Sequence, residues 1–458
     1  MHYLVLGLGE SGLAMARWLT RRGERVRVAD SRAHPPGIET LRAQCPQAEI
    51  VCGEFDARLL EGVERVALSP GLSIHDPFVR LVQVRGIALT GEIELFVEAL
   101  EALGARGRCR LLAITGTNGK TTTTTLAGEL VRAAGQDAAV AGNISPAALD
   151  ELMRRLDADC LPDTWVLELS SFQLETTRAL GADAAAILNV TDDHLDRHGD
   201  LERYAAAKSV IFAGQGAQVL NRDDPLAHAM RREGRRVLSF GLGAPAHEDA
   251  FGVVAHAGER WLARGARRLM RVADVPLAGS HNLANVLAAL ALCAAIDLPE
   301  APLLEAVRRF RGLAHRVEKV AERADGVTFY DDSKGTNVGA TLAALRGLGR
   351  RVVLIAGGDG KGQDFSPLTE ALRDHARALV LIGRDAALIE AATRGSGVPC
   401  VYAPDMDAAV AQADRLAQPG DAVLLSPACA SFDMFRGYAH RAEVFITAVR
   451  RLPGAAPC

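Results

Sequence analysis

Short runs of consecutive apolar residues recur along this chain, each closed by a glycine or polar turn and followed by a helix-length stretch. Residues 3–6 and the β-branched run at 26–28 read as strands buried on both faces, the pattern of a parallel sheet. "RVALSPGL" and "GIALTGEIELF" continue the alternation and complete a first unit, 1–98. A second series starts at "RCRLLAITGTNGKTT" and continues through "TWVLELSS" (164–171), "AAAILNVT" (184–191) and "GAQVLN" (216–221). Strands alternating with helices predict one mostly parallel sheet covered on both faces. A boundary is expected near "RRFRGLAHRVE", which gives a central unit, 99–312. The third, 313–458, carries "RVVLIAGGDGKGQDF", "ALVLIGRD", "PCVYAP" and "AVLLSPACAS" as successive strands ending in turns. The expected fold class is therefore α/β, with three domains, each a mostly parallel sheet flanked by helices. The first and third are Rossmann-like and the central one is of P-loop type. "NVLAALALCAAI" is too short for a membrane span and fits a buried helix. The tail "LPGAAPC" is expected to be disordered.

Length agrees with this division, since 458 residues at about 150 per domain gives roughly three. The 52 basic and 56 acidic residues are interleaved and leave a formal charge of -4, which gives no support for a nucleic-acid or membrane-surface partner. Eight cysteines without a C-x-x-C pair read as core residues of a reducing compartment. The N-terminus runs straight into a strand, so no signal peptide is expected, and the expected location is the cytoplasm.

In open sheets of this kind ligands bind at the carboxyl ends of strands, and the chemically interesting residues cluster there. Gly7-Leu-Gly9-Glu-Ser-Gly12 with Asp30 after the next strand matches a dinucleotide fingerprint. That pattern holds a pyrophosphate at a helix N-terminus, and NAD and a UDP-sugar are both candidates. In "LLAITGTNGKTT", Gly116, Asn118 and Gly119 form a turn, Lys120 supplies a charge for phosphates, and the Thr121 hydroxyl suits Mg²⁺. The usual loop would have glycine at 114, where this chain has Ile114. A threonine-rich helix cap explains Thr121 but not the Gly-Lys-Thr run after a buried strand, so ATP binding is the stronger reading. Glu168 ends an apolar strand, where a carboxylate is costly without a partner. Asp192, Asp193, His194, Asp196 and His198 offer oxygen and imidazole ligands suited to Mg²⁺ or Mn²⁺. Lys208 follows in a helical context. Asn282 and Asn285 share a helix face. Asp331, Asp332, Ser333, Lys334 and Thr336, then Asp359 and Lys361, then Ser426 and Ser431, mark three strand ends of one sheet and suit a carboxylate or phosphate.

Taken together, "TGTNGKTT", "ELSSFQLE", "NVTDDHLDRH", "HNLAN", "AHR", "DDSKGTN", "GGDGKGQDF" and "SPACASFDMF" resemble, in order and over essentially the whole chain, the ATP-dependent Mur ligases of peptidoglycan synthesis. The shortened loop is the form that family uses. "ELSSFQLE" and "SPACASFD" are similar to the branch that adds glutamate. The resemblance implies the substrates UDP-N-acetylmuramoyl-L-alanine, D-glutamate and ATP, two Mg²⁺ or Mn²⁺ ions, an acyl-phosphate intermediate, a monomer, and no nucleic-acid or membrane partner.

By the same resemblance, Gly116, Thr117, Asn118, Gly119, Lys120, Thr121 and Thr122 would hold the ATP phosphates. Asn282, Asn285, Arg316 and Asp332 would hold the rest of ATP. Thr121 and Glu168 would bind one ion, and His194 and a carbamylated Lys208 a second. Ser11, Asp30, Ser31, Arg32, Ser69 and Gly71 would bind the UDP part, with Asn143 and His194 nearer the reacting carboxylate. Lys334, Thr336, Lys361, Ser431 and Phe432 would hold glutamate. Lys120, Glu168, His194, Lys208 and Lys334 form the implied catalytic set. Gly335 stands where the family often has alanine, and is expected only to loosen the turn. L-glutamate addition keeps the same mechanism. Folylpolyglutamate synthase lacks the first domain, an NAD-dependent oxidoreductase leaves Lys120, His194 and Lys334 idle, and a nucleotide switch does not need the lysine turns of the third domain.

Overall fold

The computed structural model describes residues 1–457. Its strands form three sheets of five, nine and seven strands. The first contains β1 (His2–Leu6), β2 (Arg25–Asp30), β3 (Glu49–Cys52), β4 (Arg65–Leu68) and β5 (Ala88–Thr90), in the order β3-β2-β1-β4-β5. All its pairings are parallel. The apolar run at 3–6 is buried throughout, as expected for a strand covered on both faces.

The second sheet contains β6 (Arg110–Thr115), β7 (Ala138–Gly142), β8 (Thr164–Glu168), β9 (Ala184–Ile187), β10 (Ala217–Asn221), β11 (Val237–Phe240), β12 (Ala250–His256), β13 (Glu259–Arg264) and β14 (Arg267–Arg271). Its order is β14-β13-β12-β11-β10-β9-β6-β8-β7, parallel as far as β12 and then antiparallel through β13 and β14. The third contains β15 (Glu318–Arg323), β16 (Thr328–Asp331), β17 (Val352–Gly357), β18 (Ala376–Ile382), β19 (Cys400–Tyr402), β20 (Ala422–Leu425) and β21 (Ala455–Pro457), in the order β19-β18-β17-β20-β16-β15-β21.

The chain condenses into two compact units, residues 1–271 with 286–307, and residues 272–285 with 308–458. Within the first, one buried apolar cluster joins the first two sheets, running from Val5 and Trp18 through Phe96 to Trp165 and Ile187. Its middle is the helix Glu92–Ala102, whose Phe96 ring meets the Trp165 ring edge-on at 4.9 Å between centroids. In the second unit, apolar clusters cover both faces of the seven-stranded sheet.

The alanine-rich stretch lies in the helix Ser280–Ala295 and is buried as expected. Among the described residues no helix is long and apolar enough to cross a membrane. One expectation is corrected. The tail is not disordered over 455–457, because β21 adds antiparallel to the edge of β15, where open backbone groups accept another strand.

Candidate active site

The short phosphate loop follows from the register of the second sheet. Ile114 pairs with Glu168 on β8, and Thr115 with Ile187 on β9, so the chain turns at Gly116 beside the ends of both neighbours. Gly119 takes φ +83, a left-handed conformation that favours glycine, and opens the helix Lys120–Ala133. The "NVT" stretch splints the turn. Asn118 N donates to Asn189 Oδ1 at 2.8 Å, Asn189 Nδ2 donates to Asn118 O at 3.0 Å, and Thr191 N donates to Thr117 Oγ1 at 3.0 Å. Lys120 Nζ donates to the Gly116 and Thr117 carbonyls at 2.8 and 2.9 Å.

Lys208, on the helix Leu201–Ser209, is 1% exposed and donates to the same Gly116 carbonyl at 3.0 Å. Its Nζ also lies 4.3 Å above the Tyr204 ring. Burial, reinforced by the charge of Lys120, pushes the Lys208 ammonium well below the ordinary lysine range. Two lysines thus converge on one carbonyl, and the deeper one is poised to lose its proton.

Glu168 ends β8 and is 2% exposed. Its register partner on β7 is Gly142, at φ +110, where an added Cβ would stand 2.3 Å from the Glu168 carbonyl oxygen. That close approach brings in Asn143, whose Nδ2 donates to Glu168 Oε1 at 2.7 Å. Glu168 Oε2 is buried with no hydrogen-bond partner. A buried carboxylate oxygen in that condition fits a bound cation. His194 caps the short helix Leu195–His198 in a left-handed conformation, with its ring 4.8 Å from that of Phe172.

At the carboxyl end of the first sheet, Asp30 is buried and accepts from Leu8 N at 2.7 Å and from Arg32 N and Nε at 2.9 and 2.8 Å. Burial pushes its carboxyl up, but these donors outweigh burial and hold it down to about 2. Ser31 and Arg32 are exposed beside it, Ser69 is buried against the glycine turn, and Gly71 is exposed. Ser11 lies in the first turn of the helix Glu10–Arg21.

In the second unit three loops meet at the ends of β16, β17 and β20. Arg441 is fully buried and fastens two of them, donating to Ser333 Oγ and O at 3.0 and 2.7 Å and to Cys429 O at 3.1 Å. Asp359 and Ala430 form a two-bond bridge between the lysine turn at 359–361 and the serine turn. Gln363 Nε2 donates to Gly360 O at 3.1 Å and Ala428 O at 3.4 Å. His315 Nδ1 lies 2.7 Å from Asp331 Oδ2, and that bond raises the His315 pKa while fixing the turn before Arg316.

Asp332 accepts from Ser426 Oγ at 2.7 Å, and burial pushes its carboxyl up to about 7. Gly335 does more than loosen the turn, which corrects the expectation. An added Cβ would lie 2.7 Å from Asp332 Oδ2 and 2.9 Å from Ser426 Oγ, so the missing methyl makes room for that hydrogen bond. Lys334 Nζ lies 3.8 Å above the Tyr438 ring. Thr336 is half-buried, Ser431 is buried, and Lys361 is exposed at φ +52. Phe432 is 77% exposed, whereas Tyr438 lies against Lys334. Asn282 and Asn285 do share a helix face, with Asn285 Nδ2 donating to Asn282 Oδ1 at 3.2 Å.

The structure therefore gathers Gly116–Thr122, Asn143, Glu168, His194 and Lys208 around the ends of β6, β8 and β9. It gathers Asp332, Lys334, Thr336, Lys361 and Ser431 on the joined loops of the third sheet. Asn189, Gln363, Tyr438 and Arg441 were not singled out from sequence. Their roles depend on partners elsewhere along the chain, and only Asn189, inside "NVT", and Gln363, inside "GGDGKGQDF", carry a local signal.

Comparison with known proteins agrees with this architecture. Three family models match in order: the MurD-like N-terminal domain of Mur ligases over residues 1–91, the Mur ligase middle domain over 114–293, and the Mur ligase glutamate ligase domain over 315–429. The UDP-N-acetylmuramoylalanine--D-glutamate ligase of Aromatoleum aromaticum is 63% identical over 454 residues, which is 99% of this chain and 97% of that protein. The enzyme of the same name from Nitrosospira multiformis is 54% identical, over 99% and 96% of the two chains. The crystal structure of MurF from Acinetobacter baumannii shares the fold at a TM-score of 0.60 and 16% identity, covering 96% of this chain and 93% of its own. The chain belongs to the Mur ligase family.

Proposed function

We propose that this chain is an ATP-dependent ligase that adds D-glutamate to UDP-N-acetylmuramoyl-L-alanine. Its full-length identity to ligases of that name supports the substrate choice. The observation that carries the chemistry is Glu168, a buried carboxylate with one oxygen held by Asn143 and the other unpartnered, beside a phosphate loop.

The domain spanning 1–98 binds the UDP part through Ser11, Asp30, Ser31, Arg32, Ser69 and Gly71. The domain spanning 99–312 binds the ATP phosphates through Gly116–Thr122, with Asn282, Asn285, Arg316 and Asp332 on the rest of the nucleotide. The domain spanning 313–458 binds glutamate through Lys334, Thr336, Lys361, Ser431 and Phe432. A terminal carboxylate oxygen of the UDP substrate attacks the γ-phosphorus, ADP leaves, and an acyl phosphate forms. The glutamate amine then attacks the acyl carbon and loses a proton. The carbon–oxygen bond breaks and phosphate departs with the oxygen that made the attack. The reactants are all anions, so the protein's task is to position them and offset their repulsion.

Thr121 and Glu168 would hold one Mg²⁺ or Mn²⁺ ion, and His194 and Lys208 a second. Such ions neutralise charge on the phosphates as it develops. Lys208 would join as a carbamate, since burial favours the neutral amine that adds to carbon dioxide and releases a proton. Asn143 orients Glu168 and, with His194, lies nearer the reacting carboxylate. The enzyme works in the cytoplasm as a monomer. If the substrate carries ¹⁸O in its terminal carboxylate, one labelled atom per turnover appears in the released phosphate. Unlabelled phosphate would exclude carboxylate phosphorylation.

A further inference from the structure

Arg197 lies three residues after His194, and neither the ATP nor the metal chemistry uses it. Its guanidinium is seated on four partners from two separate stretches, 70–72 and 172–175. Nη1 donates to Pro70 O at 2.7 Å, and Nη2 donates to Leu72 O at 2.9 Å and to Glu175 Oε2 at 2.5 Å. Its centre lies 4.0 Å over the Phe172 ring, which also meets the His194 ring. The side chain is 10% exposed and that of Glu175 7%. Glu175 Oε1 is in turn 3.5 Å from His198 Nδ1, and His198 Nε2 is 3.0 Å from Ser171 Oγ.

The two carbonyls flank Gly71. A peptide unit is planar and trans, so fixing a carbonyl fixes the N–H on its opposite side. One guanidinium therefore sets the direction of the Gly71 and Ser73 N–H groups together. Backbone N–H groups held in fixed directions are what a phosphate group requires.

We infer that Arg197 is a positioning residue that shapes the 69–73 loop for the diphosphate of the UDP substrate and links its occupancy to the His194 segment. This rests on the proposed assignment of Ser69 and Gly71 to the UDP part. Charge-assisted bonds to both carbonyls are lost if the fork is replaced by a point charge.

The test uses the full-length enzyme, UDP as the probe ligand, and the Arg197→Lys variant. UDP should slow amide exchange over 69–73 and also over 194–199 in the wild type. In Arg197→Lys, the KM for the UDP substrate should rise by about tenfold, the KM for ATP should stay within about twofold, and UDP protection at 194–199 should vanish. A variant with unchanged KM for the UDP substrate, or one that raises both KM values equally, would overturn the inference. If the variant does not fold, the wild-type exchange decides, because protection confined to 69–73 overturns the link. A wild type in which UDP protects neither segment overturns the UDP assignment itself, and the inference with it.

Discussion

Asn143 Nδ2 stands 2.7 Å from Glu168 Oε1, while Oε2 of the same carboxylate is buried without a partner. A carboxylate oxygen left without a partner beside the phosphate loop is placed to ligate a cation, and that position, more than burial, points Glu168 to a metal role. Glu168→Gln keeps the shape and the Asn143 contact. We expect it to lower kcat by about 10³-fold with a melting temperature equal to or above the wild type. Magnesium titration of activity and a thermal melt check this, and near-wild-type turnover would contradict it.

Lys208 is buried on the same carbonyl as Lys120, with its amine pushed toward neutrality. Removing a disfavoured buried ammonium is expected to cost little stability. Lys208→Met should therefore fold, melt near the wild type, and lose about 10³-fold in turnover. In ¹³C-bicarbonate the wild type should show a carbamate carbonyl resonance that the variant lacks. Wild-type protein without that signal at full activity would exclude the carbamate.

Glu92 opens the helix Glu92–Ala102 and accepts from Leu149 N at 2.8 Å, fastening that helix to the start of Ala148–Asp157. Burial pushes its carboxyl from the ordinary 4.5 up to about 7. A raised acid binds its proton more tightly when folded. Its contribution is therefore fully present below pH 4.5 and is lost as pH rises through about 7. Asp332, also raised to about 7, has the same sign. Glu92→Gln keeps an acceptor without the charge. It should remove part of this slope and exceed wild-type stability at pH 8 by up to ~3 kcal/mol. Urea midpoints at pH 5 and pH 8 for both proteins measure it, and parallel pH dependences would refute it.

Arg441 holds Ser333 and Cys429 from within the core. Arg441→Lys cannot reach all three acceptors and should destabilise the fold by ~3 kcal/mol. The loops it fastens are those proposed for glutamate. The KM for the amino acid should therefore rise by about tenfold while that for the UDP substrate holds. Steady-state kinetics with each substrate varied in turn would show whether the effect is selective.

What was legible in the sequence was what local pattern encodes. The apolar run before Gly116 fixes β6, and the Gly-Lys-Thr run fixes the loop and helix start. The acid after "VRVA" marks Asp30 at a strand end. The polar strands β13 and β14, "ERWLAR" and "RRLMR", carry mostly exposed or half-buried side chains and no apolar run, so they were not anticipated. Arg441 reads as an ordinary helix arginine, and two of its three hydrogen bonds go to Ser333, 108 positions away. Arg197 lies inside "NVTDDHLDRH" and Gln363 inside "GGDGKGQDF", but neither string shows the contacts, which reach Pro70 and Leu72 in one case and Ala428 in the other. The tail strand exists because β15 offers it an edge, which no property of "LPGAAPC" announces.

Ligase activity is measured as phosphate release from ATP with Mg²⁺ and UDP-N-acetylmuramoyl-L-alanine, across D-glutamate, L-glutamate, D-aspartate and L-alanine. Release with D-glutamate alone is the expected result. Release with L-glutamate alone would contradict the enantiomer, and release independent of any amino acid from folded protein would contradict the ligase reading.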